Sequence, residues 1–256
     1  MSFVNDEKDL CFIHIAKTAG TSISTALKKS FTSSTKLAIG HPLAGTLVPT
    51  VFNEDGTLKA AEFPRNTLWG DGEAHCTYYQ ATKEFPESCE KWYAFAVVRN
   101  PIDRVASAAR HFGINDPREF DVFIQLIEEY AHTSPAWHPD VWWDDYRKQA
   151  NLSLLAPPHI VPCNFYFNHN HKINLFSFER LNEIEVAIKE KFGVILTLPA
   201  TKHDPDEALR EYQNFRKKIS RNLLTRIEQV YEKDFEIYEK VSSCVGPYEQ
   251  GKQNLE

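Results

Sequence analysis

The chain has 256 residues, of which 42% are hydrophobic and 25% are charged, and its formal net charge at pH 7 is −6. This length supports a sizeable hydrophobic core, and the composition is that of a globular protein. The negative charge argues against a general nucleic-acid or membrane binder, and no run reaches the ~18 apolar residues of a membrane span. Any anion site must therefore be a local cluster of positive groups.

The amino terminus and the cysteines indicate the cellular setting. Residues 1–9 are polar and acidic, which does not fit a signal peptide. The five cysteines are odd in number, scattered along the chain and without a Cys-x-x-Cys pair. This pattern favours reduced thiols over a disulfide framework or a zinc site. We therefore expect a cytoplasmic location.

The first predicted elements are a strand, a loop and a helix near the amino terminus. Leu10–Ile15 is an apolar run that predicts a buried strand. Residues 16–22 are small apart from Lys17, and apolar residues then recur at helical spacing. Loop amides, a helix N-terminus and the Lys17 ammonium together form a cradle for a phosphate-like anion.

This loop resembles the phosphate-binding pattern GxxxxGK[ST] but does not match it. Ala16 precedes the lysine, and Cys11 stands where the pattern has its first glycine. An ordinary strand–turn–helix junction with a surface lysine is the alternative reading of these residues.

A second strand and helix carry another candidate anion site. The seven apolar residues Trp92–Val98 predict a buried strand. Asn100 is placed to cap the following helix, and Pro101 stands at its first position. Arg99 leaves the strand, and Ser107 lies two turns into the helix on a predicted polar face that also carries Asp103, Arg104 and His111. An arginine fork and a hydroxyl suit a second phosphate, although sheet-edge and helix-surface roles are alternatives.

The rest of the chain continues the alternation of strands and helices. Asp116 is predicted to cap a helix that runs to about Ala131, a strand is predicted at Lys172–Phe178, and a helix capped by Asn182 follows. A long helical region after residue 204 is expected to break near residues 214–220. The pattern predicts an α/β fold with a central, mainly parallel sheet flanked by helices, and ligands at the carboxyl ends of the strands.

The two motifs together resemble the PAPS-dependent sulfotransferases, especially the carbohydrate-type branch that includes the heparan 2-O-sulfotransferases (PAPS is 3′-phosphoadenosine 5′-phosphosulfate). The resemblance rests on FIHIAKTAGTS (Phe12 to Ser22) and FAVVRNPIDRVASAARHF (Phe95 to Phe112), and more loosely on FSFERLNEI (Phe176 to Ile184) and IEQVYEKDFEIY (Ile227 to Tyr238). It implies a three-layer, P-loop-like fold. We expect one domain over residues 1–256, with substrate-side insertions near residues 40–75 and 132–170.

The resemblance also implies roles for individual residues. The 5′-phosphosulfate of PAPS would be held by Lys17, Thr18, Ala19, Gly20, Thr21 and Ser22. The 3′-phosphate would be held by Arg99 and Ser107. The family uses no metal, and His169 and His171 are read as a surface loop because no partnering ligand signature accompanies them.

The general base is expected in GDGEAHCTYYQ, ahead of the second strand. His75 is the first candidate because the resembling enzymes carry Gly-His there, whereas this chain has Ala74 before the histidine. Glu73 is the rival and Asp71 a third candidate. His14, inside the first strand, is read as a hydrogen-bonded core residue.

The function expected from the resemblance is transfer of a sulfuryl group from PAPS to a hydroxyl of a small molecule or a carbohydrate. The alternatives are a P-loop kinase or NTPase, for which a Gly-Lys-Ser/Thr loop and a metal-binding aspartate are missing, and a non-catalytic module that binds the product PAP or a glycan. Neither nucleic acid nor a membrane is expected as a partner, and the sequence leaves the oligomeric state open.

Overall fold

A computed structural model describes residues 2–31, 35–36, 51–52, 58–59, 77–78, 81–82, 85–114, 116–133, 159–167, 172–198, 217 and 219–249. The strands are β1 Phe3–Asn5, β2 Leu10–Ile13, β3 Thr35–Lys36, β4 Val51–Phe52, β5 Leu58–Lys59, β6 Tyr93–Val98, β7 Ile173–Ser177 and β8 Tyr248–Glu249. The helices are α1 Gly20–Ser30, α2 Pro101–His111, α3 Pro117–Thr133, α4 Asn164–Phe167, α5 Asn182–Phe192, α6 Arg221–Val230 and α7 Glu232–Ser243. Among these helices, none is long and apolar enough to cross a membrane.

The main sheet has the strand order β3-β1-β2-β6-β7-β8. Its three central strands, β2, β6 and β7, run parallel, and antiparallel strands are added at both edges. The parallel centre brings the carboxyl ends of β2 and β6 to the same edge, as the sequence predicted. Lys17 and Arg99 follow these two strand ends.

Both faces of the sheet are covered by helices, which makes three layers. Successive β6 residues alternate between two apolar clusters: Ala94 and Ala96 belong to one, Phe95 and Val97 to the other. Helices α1 and α5 pack on the face of Phe95, and α2, α3, α6 and α7 pack on the face of Ala94. Burial on both faces explains why β6 is a continuous apolar run. The predicted three-layer α/β fold is confirmed.

Local capping signals predicted the start of α2 correctly. The Asn100 side-chain oxygen accepts a hydrogen bond from the Ile102 N–H at 3.0 Å, and Pro101 occupies the first turn. The capping of α3 by Asp116 is also confirmed, because its carboxylate accepts from the Arg118 N–H at 2.8 Å. The prediction for Asn182 is wrong. Leu181 occupies the N-cap of α5, because a 3₁₀ turn at Phe178–Arg180 leads directly into that helix.

The two expected insertions lie largely outside the described residues. Within the first, β4 and β5 pair as an antiparallel hairpin with Val51 opposite Lys59. Strand β1, which lies between β2 and the edge strand β3, was not predicted, because residues 1–9 carry several charges. Its three residues are nevertheless buried and pair with β2.

A buried ion pair corrects the sequence-based placement of Arg104 on the polar face of α2. Arg104 is 1% exposed and donates from Nη2 to Asp234 of α7 at 3.1 Å and to the Val161 carbonyl at 2.8 Å. Asp234 also accepts from the Cys163 N–H at 2.8 Å, and Tyr231 donates to the Ile160 carbonyl at 2.5 Å. We call this group the Arg104 cluster. It fixes residues 160–163 against α2 and α7.

Candidate functional site

The loop between β2 and α1 has an unusual backbone. Lys17 and Ala19 both adopt positive φ angles, 68° and 64°, which non-glycine residues rarely adopt and which need support from their surroundings. Thr18 provides such support from between them, because its buried hydroxyl donates to the Ile15 carbonyl at 2.8 Å. The loop is thus held in a fixed shape.

The positive end of the α1 helix dipole faces the space beside this loop. Ala19 is the N-cap without a side-chain cap bond, and the helix carries no acidic residue in its first turn. The N–H of Ile23 donates to the Ala19 carbonyl at 3.1 Å. The N–H groups of Gly20, Thr21 and Ser22 precede this bond, at positions where a helix has no carbonyl to offer them. Such a helix terminus favours an anion.

Arg99 joins this loop to the second motif. It leaves β6 beside the β2–α1 loop, and its Nη1 donates to the Lys17 carbonyl at 3.4 Å. Its guanidinium lies over the ring of Phe178, 4.3 Å from the ring centroid, which is a cation–π arrangement. These contacts fix the arginine head group next to the loop.

The two motifs line one cavity with a volume of about 330 Å³. Its lining consists of His14, Lys17, Ala19, Gly20, Thr21, Ser22, Arg99, Ser107, His111, His159 and Phe178. The predicted donor-binding residues are therefore brought together, with the exception of Thr18, whose hydroxyl is used within the loop. Among the described residues that line this cavity there is no carboxylate, while one lysine and one arginine contribute full positive charges.

Three histidines line the cavity, although the sequence analysis placed only His111 near the site, on the helix face of Ser107, and assigned none of the three to anion binding. His111 and His159 stack with ring centroids 4.3 Å apart and planes inclined by 21°. His111 lies four residues after Ser107 on the same helix, so the helical spacing carried a signal for it. No sequence signal indicated His159. It lines the cavity because the Arg104 cluster fixes the residues that follow it in the chain.

His14 was predicted to be a core residue, and the structure places it at the cavity as well. It is 4% exposed, in agreement with that prediction, but it also contributes to the cavity lining. Its ring packs against Gly20 so closely that a Cβ at position 20 would overlap the ring atoms Cδ2 and Nε2.

The candidate bases His75 and Glu73 lie outside the described residues, as do Asp71, His169 and His171. In the part of the chain that is described, no group of three or more His, Cys, Asp or Glu side chains is arranged to hold a metal ion. Cys163 does not serve as a nucleophile candidate, because burial and then the neighbouring Asp234 carboxylate raise the pKa of its thiol well above the usual value.

A larger cavity of about 780 Å³ lies elsewhere, between α2 and helices α6 and α7. Its lining includes the carboxylates of Glu228, Glu232, Glu236 and Glu239. These charges repel an anion, so the smaller cavity is the better phosphate site.

A helix N-terminus and positively charged side chains at the carboxyl ends of parallel strands form the kind of site at which α/β proteins commonly bind anionic ligands. The sequence model of the Sulfotransferase family matches residues 1–240 of the chain. The chain therefore belongs to this family. Comparisons with curated proteins and with solved structures found no match. Family membership supports sulfuryl transfer as the general activity.

Proposed function

We propose that the protein is a sulfotransferase that takes the sulfuryl group from PAPS and transfers it to a hydroxyl of a small molecule or a carbohydrate. The observation that carries this proposal is the joining of two anion-binding motifs in one cavity by the contact between Arg99 and Lys17. A nucleotide with anionic groups at both its 3′ and 5′ positions matches two such motifs.

The 5′ end of the donor is assigned to the loop and the start of α1. Lys17 supplies a full charge there, and the N–H groups of Gly20, Thr21 and Ser22 supply hydrogen bonds and dipole. Two observations support this fit: the first turn of α1 has no acidic residue, and the described part of the cavity lining has no carboxylate.

The 3′-phosphate is assigned to Arg99 and Ser107. A guanidinium can bind two phosphate oxygens at once, and the serine hydroxyl adds one donor. Arg99 is oriented by the Lys17 carbonyl and by Phe178. This subsite distinguishes PAPS from nucleotides without a 3′-phosphate.

When bound, PAPS supplies an activated sulfuryl group: the acceptor oxygen forms a new bond to sulfur while the bond from sulfur to the 5′-phosphate oxygen breaks, and that oxygen keeps the electron pair. Lys17 stabilises the negative charge that develops on the leaving phosphate oxygen. The acceptor's proton goes to a general base, for which His75 is the first candidate and Glu73 the second.

Two experiments test the proposal. In the first, PAP without Mg²⁺ should raise the melting temperature, whereas ATP with Mg²⁺ should not; the opposite pattern would indicate a P-loop kinase or NTPase. In the second, PAPS carrying labelled sulfate is incubated with a panel of alcohols and neutral glycans. Labelled product is expected, and PAP binding without transfer to any acceptor would favour a non-catalytic module.

A further inference from the structure

The His14 imidazole lies where the 5′ end of the donor is assigned. His14 follows β2 directly, and its ring edge with Cδ2 and Nε2 packs on Gly20, the first residue of α1. The same ring contributes to the lining of the cavity that contains Lys17. A ring on the first residue of a helix is adjacent to the N–H groups that attract an anion.

Among the contacts of His14 with other described residues, two hold it in this place. Its backbone N–H donates to the Ser2 hydroxyl at 3.0 Å. Its ring stacks with that of Phe12 at a centroid distance of 6.2 Å and an interplanar angle of 16°. The ring is therefore preorganised before any ligand binds, which lowers the entropic cost of a contact to that ligand.

We propose that His14 binds the 5′-phosphate end of the donor, as a third positive or hydrogen-bonding group beside Lys17 and the start of α1. Gly20 is part of this arrangement, because a Cβ at position 20 would overlap the imidazole that packs on the helix terminus. This inference rests on the proposed function, since PAPS is the donor that it assumes. It assigns His14 a ligand contact in addition to its packing in the core.

The test compares three ligands that differ only in their phosphates: PAP, adenosine 3′-monophosphate and 5′-AMP. The affinity ratio of PAP to adenosine 3′-monophosphate reports contacts to the 5′-phosphate, and the ratio of PAP to 5′-AMP reports contacts to the 3′-phosphate. Calorimetry on His14→Ala, His14→Gln and Gly20→Ala measures both ratios. His132→Ala on α3 is the matched control, because this histidine is exposed and absent from the cavity lining.

His14→Ala is expected to lower PAP affinity on the order of tenfold, as loss of a hydrogen bond to a charged group does, with little change for adenosine 3′-monophosphate. His14→Gln, which keeps a donor, should lose less. Gly20→Ala should lower the same ratio by displacing the ring, and the His14→Ala/Gly20→Ala double variant should lose less than the sum of the two effects.

The outcomes separate the inference from the proposed function. PAP binding by the wild type with an unchanged 5′-phosphate ratio in His14→Ala and Gly20→Ala overturns the role of His14 and leaves the sulfotransferase proposal standing. Failure of the wild type to bind PAP overturns the proposed function and the inference with it. A purely structural role of His14 would lower the melting temperature and both affinities without changing their ratio.

Discussion

Arg99 and Lys17 lie 82 residues apart in the chain, and the Arg99 guanidinium donates to the Lys17 carbonyl at 3.4 Å. The contact connects the ends of two neighbouring parallel strands. It also supports a loop in which Lys17 itself has a positive φ. The side chain assigned to one phosphate therefore stabilises the backbone assigned to the other.

Replacing Arg99 should weaken binding of the nucleotide at its 3′ end. Arg99→Ala removes a charged donor, and PAP affinity is expected to fall about 10- to 100-fold, the range for hydrogen bonds to charged groups. Affinity for 5′-AMP should fall less, which calorimetry can measure. Arg221→Ala, at an exposed arginine that begins α6, is the control. Equal losses for PAP and 5′-AMP would contradict the assignment of Arg99 to the 3′-phosphate.

Variants at the two candidate bases should affect turnover rather than donor binding. His75→Ala is expected to lower kcat by roughly 10²- to 10⁴-fold, the usual contribution of a general base. Its PAP affinity should stay close to that of the wild type. Glu73→Gln, measured alongside with labelled PAPS, decides between the two residues. Normal turnover in His75→Ala together with loss in Glu73→Gln would assign the base to Glu73.

The buried pair of Arg104 and Asp234 should be a strong determinant of stability. Asp234→Asn leaves the arginine charge uncompensated and is expected to lower the free energy of unfolding by about 3–5 kcal/mol. Urea denaturation measures this loss. Glu236→Gln, which breaks an exposed pair with Lys233, is the control and should cost about 0–1 kcal/mol. A similar small loss in both variants would show that the buried pair is not needed.

Alkaline conditions should destabilise the fold through Tyr231. Burial raises the pKa of its phenol above the usual value. Above pH ~10 the unfolded chain loses this proton while the folded protein keeps it, so the free energy of unfolding falls as pH rises, by up to ~1.4 kcal/mol per pH unit for this residue. Tyr231→Phe should show a shallower fall in urea titrations between pH 9 and pH 11, a range set around the unfolded phenol pKa of ~10. An unchanged slope would contradict this account.

Local signals were enough to predict the framework of the candidate site. The apolar run of β6 and the Asn100-Pro101 start of α2 involve neighbouring residues only, and both were predicted correctly. Arg104 was misplaced because its burial depends on Asp234, 130 residues further along the chain. No pattern around Arg104 indicates that partner.

The histidines of the cavity illustrate the same limit. His159 reaches the cavity only because long-range contacts hold the residues after it. The place of His14 over Gly20 depends on the loop conformation at Lys17 and Ala19, where non-glycine residues adopt positive φ angles. The residue types gave no indication of this backbone.

The most direct test of the central claim is calorimetric titration of the wild-type protein with PAP and with 5′-AMP, without Mg²⁺. The assignment of two phosphate subsites predicts that PAP binds at least about tenfold more tightly, since the 3′-phosphate adds charged hydrogen bonds to Arg99 and Ser107. Equal affinity for the two nucleotides, or no PAP binding at all, would contradict the account.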